Sequence, residues 1–358
     1  MLLFFKTVNC LFKKKVMKIL FYSTKPYEQS YLEKANTNQF EITFLKKPLC
    51  LETAHLANGY AIISIFTGDD ASVKVLESLH EMDVKCITTR AAGYDNIDIE
   101  KANSLGITVT NVPAYSPYAI AEHVIALIQV LNRKIIIAEK QVYQQNFTTD
   151  NLIGFDLHGK TIGIIGVGII GGVLVKIMHG FGCKILCCDL KENSMLIEKY
   201  DVEYTDKETL CASADIISIH TSFTPETKYF INKKVIDLMK PGTMLINTGR
   251  GACVNTVDVI EGLQNGNIGY YGADVYENER GIFFCDLTGK EMKDDLLKKL
   301  LSMPNVLITP HQAFATVQAL TNIADTTFYN IECMQKNRLS KNELNNFSGR
   351  SKIRNELI

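Results

Sequence analysis

Seven histidines occur in the chain. Only His220 and His311 fall at the carboxyl ends of predicted parallel strands in its second half, where open α/β sheets bind ligands. His311 follows Pro310 where the next helix is expected to open, a position that projects an imidazole into a cleft and suits general acid–base work. Arginine is scarce among the 38 basic residues, yet Arg250 sits between Gly249 and Gly251 just past a buried strand. A planar fork that grips a carboxylate through two bonds explains an arginine there better than a lysine. A structural salt bridge is the competing explanation. An acid for the histidine is offered by the charge run holding Glu277 and Glu279, and spacing alone does not choose between them. His220 is expected to shape a pocket wall. His123, behind Glu122 near a helix start, reads as an interface or capping residue.

A second constellation is KTIGIIGVGIIGG, in which Gly166, Gly168 and Gly171 form G-x-G-x-x-G between a strand and a helix. The pattern alone also fits a plain strand-to-helix turn. In this setting Gly166 permits the turn, Gly168 lets a pyrophosphate approach the backbone, and Gly171 allows close helix packing. The amides of Gly168, Ile169 and Ile170 then face a diphosphate at the positive end of the helix. The following strand ends at Asp189, about 20 residues on, where a carboxylate accepts both ribose hydroxyls and repels a 2′-phosphate. The expected cofactor is therefore NAD, and no metal site is expected.

These residues need two sets of elements to hold them. Strands are expected at 18–23, 41–45, 61–66, 86–90 and 108–112, then at 161–166, 184–189, 215–220, 244–249, 269–275 and 306–310. Runs such as IGIIG, DIISIH and MLIN are almost continuously apolar, as parallel strands covered on both faces are. Helical lengths between them imply right-handed crossovers and doubly wound sheets. One long helix, 119–145, separates the two series. The last helix, 313–335, has no third sheet to join and is expected to cross back onto the first domain. Beyond Asn337 a frayed tail is expected. The domains are placed at 17–115 completed by 315–340, and at 116–314, with 1–16 and 341–358 as flexible extensions.

Composition narrows the classes. The 358 residues are 46% hydrophobic and 22% charged, with 38 basic against 39 acidic side chains and a formal charge of −1. That suits a globular chain with two cores and gives no reason to expect nucleic acid as a partner. No apolar run approaches the ~20 residues of a membrane span. The first sixteen residues lack the long apolar core and small-residue cleavage site of a secretory signal. The ten cysteines contain no C-x-x-C and read as free thiols in a reducing compartment, so the cytoplasm is expected.

The ordered motifs RAAGYDNID at 90–98, NVPAYSPYAIAEH at 111–123, the glycine loop, NTGRG at 247–251, GADVYENE at 272–279 and TPHQAF at 309–314 carry a resemblance. Together they resemble the D-isomer-specific 2-hydroxyacid dehydrogenases over most of the chain. The segment GIFFCDLTGKE after Arg280 looks like the D-lactate subgroup. The resemblance implies two α/β domains, Rossmann-like and flavodoxin-like, with a cleft between them. It implies Arg250 as the substrate arginine, Glu279 as the acid beside the histidine, and His311 as the acid/base. It gives the Ala92 and Gly93 amides to the substrate carboxylate, Tyr115 and Phe314 to the pocket, and Asp274 to the nicotinamide carboxamide. Thr248 and Gly249 pass near the cofactor. His220, Thr221 and Ser222 form the cofactor wall in a segment, HTSFTPET, that departs from the family by lacking a proline after the histidine. Gly172 departs too, replacing a larger residue. The implied activity interconverts pyruvate and D-lactate in a homodimer. A bulkier 2-hydroxy acid, or an NAD-sensing scaffold or corepressor, are the alternatives.

Overall fold

The computed structural model describes residues 16–38 and 40–345, so the expected N-terminal extension, apart from Val16, and the end of the C-terminal one lie outside the described residues. The chain divides into two compact units. One takes residues up to Pro113 and from Ile323 onward; the other is Ala114–Asn322.

In the first unit, β1 (Lys18–Phe21), β2 (Glu41–Phe44), β3 (Ile62–Ile65), β4 (Cys86–Thr89) and β5 (Thr108–Thr110) make a parallel sheet in the order β2-β1-β3-β4-β5. The middle strands β3 and β4 are buried at every residue, which is why they read as runs rather than alternations. Arg90, directly after β4, is wholly buried. Its Nε and Nη2 donate to Glu28, Nη2 also to the Tyr22 carbonyl at 2.8 Å, and Nη1 to Ser64 Oγ at 3.0 Å. Every nitrogen of the fork is satisfied, so the first residue of the RAAGYDNID motif is a structural anchor under the loop that follows it.

The second unit holds β6 (Thr161–Ile165), β7 (Lys184–Cys188), β8 (Glu203–Tyr204), β9 (Ile216–Ile219), β10 (Thr243–Asn247), β11 (Ile268–Ala273) and β12 (Val306–Ile308). All pair in parallel, in the order β12-β11-β10-β9-β6-β7-β8. The chain reverses direction of winding between β6 and β9, the position at which doubly wound sheets open a ligand crevice. The glycine loop follows β6 and His220 follows β9.

Several expectations need correction. The long helix is two, Pro117–Asn132 and Ile135–Tyr143, broken at Lys134, whose φ is +50°. Asn132 anchors the chain at the break: its buried side chain exchanges both amide bonds with the backbone of Phe155. β8, only two residues long, was not foreseen. The last helix runs Val317–Gln335, and its second half seats Ala324, Phe328 and Ile331 against Ile19, Phe21 and Phe40 of the first core, as the crossing-back expectation required. Its first turns stay with the second unit, where the Asn322 side chain donates to the Tyr115 carbonyl, so the division falls at Asn322 rather than 314. Nor is the tail frayed as far as Asn345. Ser340, Asn342 and Asn345 are buried, and Asn345 takes the Val109 amide and the Ile107 carbonyl beside β5.

Candidate active site

The residues expected to act on the substrate, Arg250, Glu279 and His311, lie beyond the carboxyl ends of β10, β11 and β12. His311 does not open a helix: it lies in a turn, with φ at +57°, six residues before the helix. A left-handed backbone at a non-glycine residue costs ~1–3 kcal/mol and persists only where surroundings enforce it. Asp274, 1% exposed at the end of β11, is the enforcer. Its Oδ1 accepts from the Thr309 hydroxyl and the Gln312 amide, and its Oδ2 from the Ala313 amide at 2.8 Å. Both oxygens thus hold the turn that carries His311. His123, expected as an interface or capping residue, braces the same turn. It lies in the second turn of helix Pro117–Asn132 and meets Thr309 Oγ1 through Nε2 at 3.0 Å. Because the hydroxyl proton goes to Asp274, His123 is the donor, and a His123–Thr309–Asp274 chain braces the turn from behind.

The imidazole that this turn presents is bonded through Nδ1 to Glu279 Oε1 at 2.9 Å. The other Glu279 oxygen accepts the Tyr276 amide. The choice left open between two acids is settled by geometry. Glu277 accepts from the Tyr229 hydroxyl at 2.9 Å and from the Thr256 amide at the start of helix Thr256–Asn265, so it caps that helix. With Nδ1 held by a carboxylate, Nε2 of His311 is the nitrogen left to exchange a proton. The Phe284 ring packs 5.5 Å from the imidazole, from a backbone that is itself left-handed at φ +61°. Sequence reasoning did not pick out Phe284, and it gave His123 an interface or capping role rather than this one.

Arg250 leaves β10 in a turn clamped by Asn247, whose side chain accepts the Gly249 amide and donates to the Arg250 carbonyl. Gly251 seats this turn against the acid loop. A side chain there would put its Cβ 2.1 Å from the Tyr276 carbonyl carbon and 2.4 Å from the Glu277 nitrogen. Tyr115 and Phe314 meet edge to face at 6.4 Å. Burial pushes the Tyr115 phenol up to about 12, with Arg250 acting in the opposite direction. Arg250, Glu279, His311, Tyr115 and Phe314 therefore share one unit. Ala92 and Gly93 belong to the other, in the loop after β4.

The glycine loop fits a dinucleotide. Gly166 turns at φ +88° against the His220–Thr221 backbone, and Gly171 packs where a Cβ would meet the Gly166 oxygen at 2.2 Å. A Cβ on Gly168 would meet nothing within 4 Å, which leaves the open approach a phosphate needs. Ile169 and Ile170 begin the helix whose amides face that opening. At Gly172 a Cβ would meet only Leu196, at 3.8 Å, so the departure removes no packing. Asp189 reaches back to accept the Val167 amide and stays solvent-facing. His220 bonds Ser218 Oγ at 2.8 Å, and burial lowers its pKa to about 4, so its ring is neutral. The Thr221 hydroxyl is directed to Cys253, the Ser222 carbonyl accepts from Thr227, and the buried Thr248 hydroxyl has no protein partner. An orphaned hydroxyl beside an open glycine cradle is what a cofactor-lined wall requires. Among the described residues no helix is long and apolar enough to cross a membrane, and no cluster of His, Cys, Asp and Glu could hold a metal.

A glycine-loop domain with an imidazole–carboxylate pair at its strand ends defines an NAD-dependent dehydrogenase. Comparison with known proteins makes the class specific. Residues 125–313 match the family model for the D-isomer specific 2-hydroxyacid dehydrogenase NAD binding domain. The chain is 42% identical to D-lactate dehydrogenase of Escherichia coli, over 92% of this chain and 100% of that one. Its fold is similar to the pyruvate reductase of Chlamydomonas reinhardtii, with a TM-score of 0.85 at 37% identity over 91% of this chain and 98% of that one. It is also similar to D-lactate dehydrogenase from Aquifex aeolicus, a structure complexed with NAD and lactic acid, with a TM-score of 0.83 at 31% identity over 92% and 100%. The chain belongs to the D-isomer specific 2-hydroxyacid dehydrogenase family and is an NAD-dependent D-2-hydroxyacid dehydrogenase.

Asp189 sets an expected cofactor preference. A 2′-phosphate beside its carboxylate is a like-charge contact, so kcat/KM with NADH should exceed that with NADPH roughly 10–100-fold. Asp189→Ala should narrow the gap mainly by weakening NADH binding. Equal kcat/KM for the two cofactors in the unmodified enzyme would remove Asp189 from this role.

Proposed function

We propose that the enzyme is a D-lactate dehydrogenase, reducing pyruvate to D-lactate reversibly. The observation that carries the reading is the 2.9 Å His311–Glu279 pair set on an enforced turn in the same unit as Arg250. When bound, the reduced nicotinamide supplies the hydride for the carbonyl carbon. The imidazolium of His311 gives the Nε2 proton to the carbonyl oxygen, and in the reverse direction the neutral ring accepts the hydroxyl proton. Glu279 keeps Nδ1 protonated and stabilises the positive ring. Arg250 holds the substrate carboxylate and polarises the carbonyl; for the first unit, the resemblance assigns the Ala92 and Gly93 amides to carboxylate binding.

The substrate is small on this reading because Tyr115 and Phe314 pack against each other across the pocket. Discrimination per methylene is ~1–3 kcal/mol, so the preference is graded. We expect kcat/KM to fall from pyruvate through 2-ketoisocaproate to phenylpyruvate, followed as NADH oxidation. A clear preference for phenylpyruvate would reassign the enzyme to bulkier acids.

The helix Ile135–Tyr143 buries none of its residues, although Ile135 and Val142 are half exposed, Tyr143 is 82% exposed and Phe147 beyond it 73%. An apolar helix of this kind marks an interface. We assign it to a second copy of the chain, since Lys134, Glu139 and Lys140 on the same stretch give a self-complementary mix of charges. Light scattering after size exclusion should give a dimer that Tyr143→Asp dissociates; a monomeric unmodified enzyme would refute the assignment. The nine described cysteines are all free, which supports a reducing compartment such as the cytoplasm.

A further inference from the structure

The loop after β4 carries two successive peptide groups with the same arrangement. The Ala91 carbonyl accepts the Val112 amide at 3.0 Å, and the Ala92 carbonyl accepts the Asn111 side-chain amide at 2.8 Å. The chain contains no cis peptide among the described residues. In a trans peptide the C=O and the following N–H point in opposite directions. Gripping the Ala91 and Ala92 oxygens from the β5 side therefore turns the Ala92 and Gly93 N–H groups to the other side. Among the described residues neither amide donates to a protein acceptor. A bonded carbonyl also strengthens the N–H of the same peptide group as a donor, by ~10–30% per bond.

Asn111 is itself held by residues more than two hundred positions away. Its carbonyl accepts from Asn330 Nδ2 at 2.9 Å, and its amide donates to the Asn342 carbonyl at 3.2 Å. Asn330 Oδ1 in turn accepts from the Ser340 hydroxyl and the Asn342 side chain. The segment continues along the open edge of β5: the Leu344 amide donates to Val109, Glu343 bridges Thr110, and Asn345 pairs with Val109 and Ile107. Asn111, Asn330, Ser340, Asn342 and Asn345 are all buried. A buried polar network of this size has a definite geometry because each unmade bond is expensive.

We propose that Asn111, fixed by Asn330 and the C-terminal segment 340–345, is the positioning residue that aims the Ala92 and Gly93 amides at the substrate carboxylate. The proposal rests on the reading above that these amides bind that carboxylate. It gives the C-terminal segment a part in substrate affinity although it supplies no group that touches substrate. Asn111→Leu keeps the volume and removes the grip on Ala92. KM for pyruvate and the Kd of oxamate in the NADH complex should rise roughly 10–100-fold, the span for misaligning a hydrogen bond to a charged group. NADH affinity and kcat should hold. A merely structural role would instead lower the active fraction, reducing kcat at unchanged KM. The double variant Ser340→Ala, Asn342→Ala leaves the loop and Asn111 untouched and should move KM in the same direction by less; it carries the test if Asn111→Leu does not fold. Gly93→Pro deletes one amide outright and separates the two ways of failing. A KM raised by Gly93→Pro but by neither of the other variants overturns the positioning role alone. A KM raised by none of them overturns the carboxylate reading itself.

Discussion

His311→Ala should lower kcat for pyruvate reduction by ~10²–10⁴-fold, the span for removing a general acid/base. The ring is the group in the second unit whose Nδ1 is fixed by a carboxylate at 2.9 Å while its backbone is forced into the left-handed region. NADH binding should survive, since the glycine loop and Asp189 lie on the β6 and β7 side of the sheet and share no bond with the His311 turn. Glu279→Gln should act more mildly and in a diagnostic way. It keeps an acceptor for Nδ1 but removes the carboxylate charge beside the ring, so kcat should fall by less than in His311→Ala while KM for pyruvate holds. Near-normal kcat for His311→Ala at every pH would show that another group donates the proton. A fall in kcat accompanied by a lower melting temperature would point to a collapsed turn instead, and Asp274→Asn would then reproduce it, because Asp274 holds the Gln312 and Ala313 amides.

Much of this arrangement was legible because it is written in local pattern. Fully buried parallel strands read as apolar runs, and Gly166 and Gly171 answer local steric demands while Gly168 leaves the loop open. What escaped is non-local or too short. β8 spans two residues and has no period to detect. Glu277 and Glu279 look alike in sequence, and only the fold turns one toward a helix N-terminus and the other toward His311. The bond between His123 and Thr309 joins residues 186 positions apart. The tail was misread because Ser, Asn and Asn in a row of polar residues look solvated, whereas here each is buried by pairing with backbone or another amide. One signal was available: Thr327 and Asn330 stand on the same face of the last helix as Phe328 and Ile331, and polar residues on a buried stripe need partners.

Arg250→Lys should chiefly raise KM for the keto acid, by roughly 10–100-fold, because an ammonium keeps the charge but not the fork that meets both carboxylate oxygens. Arg250→Ala loses charge and fork together and should cost ~2–5 kcal/mol in kcat/KM. The turn around the residue makes the comparison informative. Asn247 bonds the Gly249 amide and the Arg250 carbonyl through its side chain, contacts that neither substitution touches. The backbone should therefore stay in place while only the guanidinium changes. Gly251→Ala supplies the opposite case. It leaves the guanidinium intact, but its Cβ would fall 2.1 Å from the Tyr276 carbonyl carbon, so the arginine turn and the acid loop must separate. Arg250→Lys should thus act on KM, whereas Gly251→Ala should depress kcat as well, because Glu279 is reached from the same loop that the new methyl group displaces. If Arg250→Lys left KM for pyruvate unchanged while lowering thermal stability, the guanidinium would be a structural ion-pair partner, and the carboxylate would have to be held elsewhere.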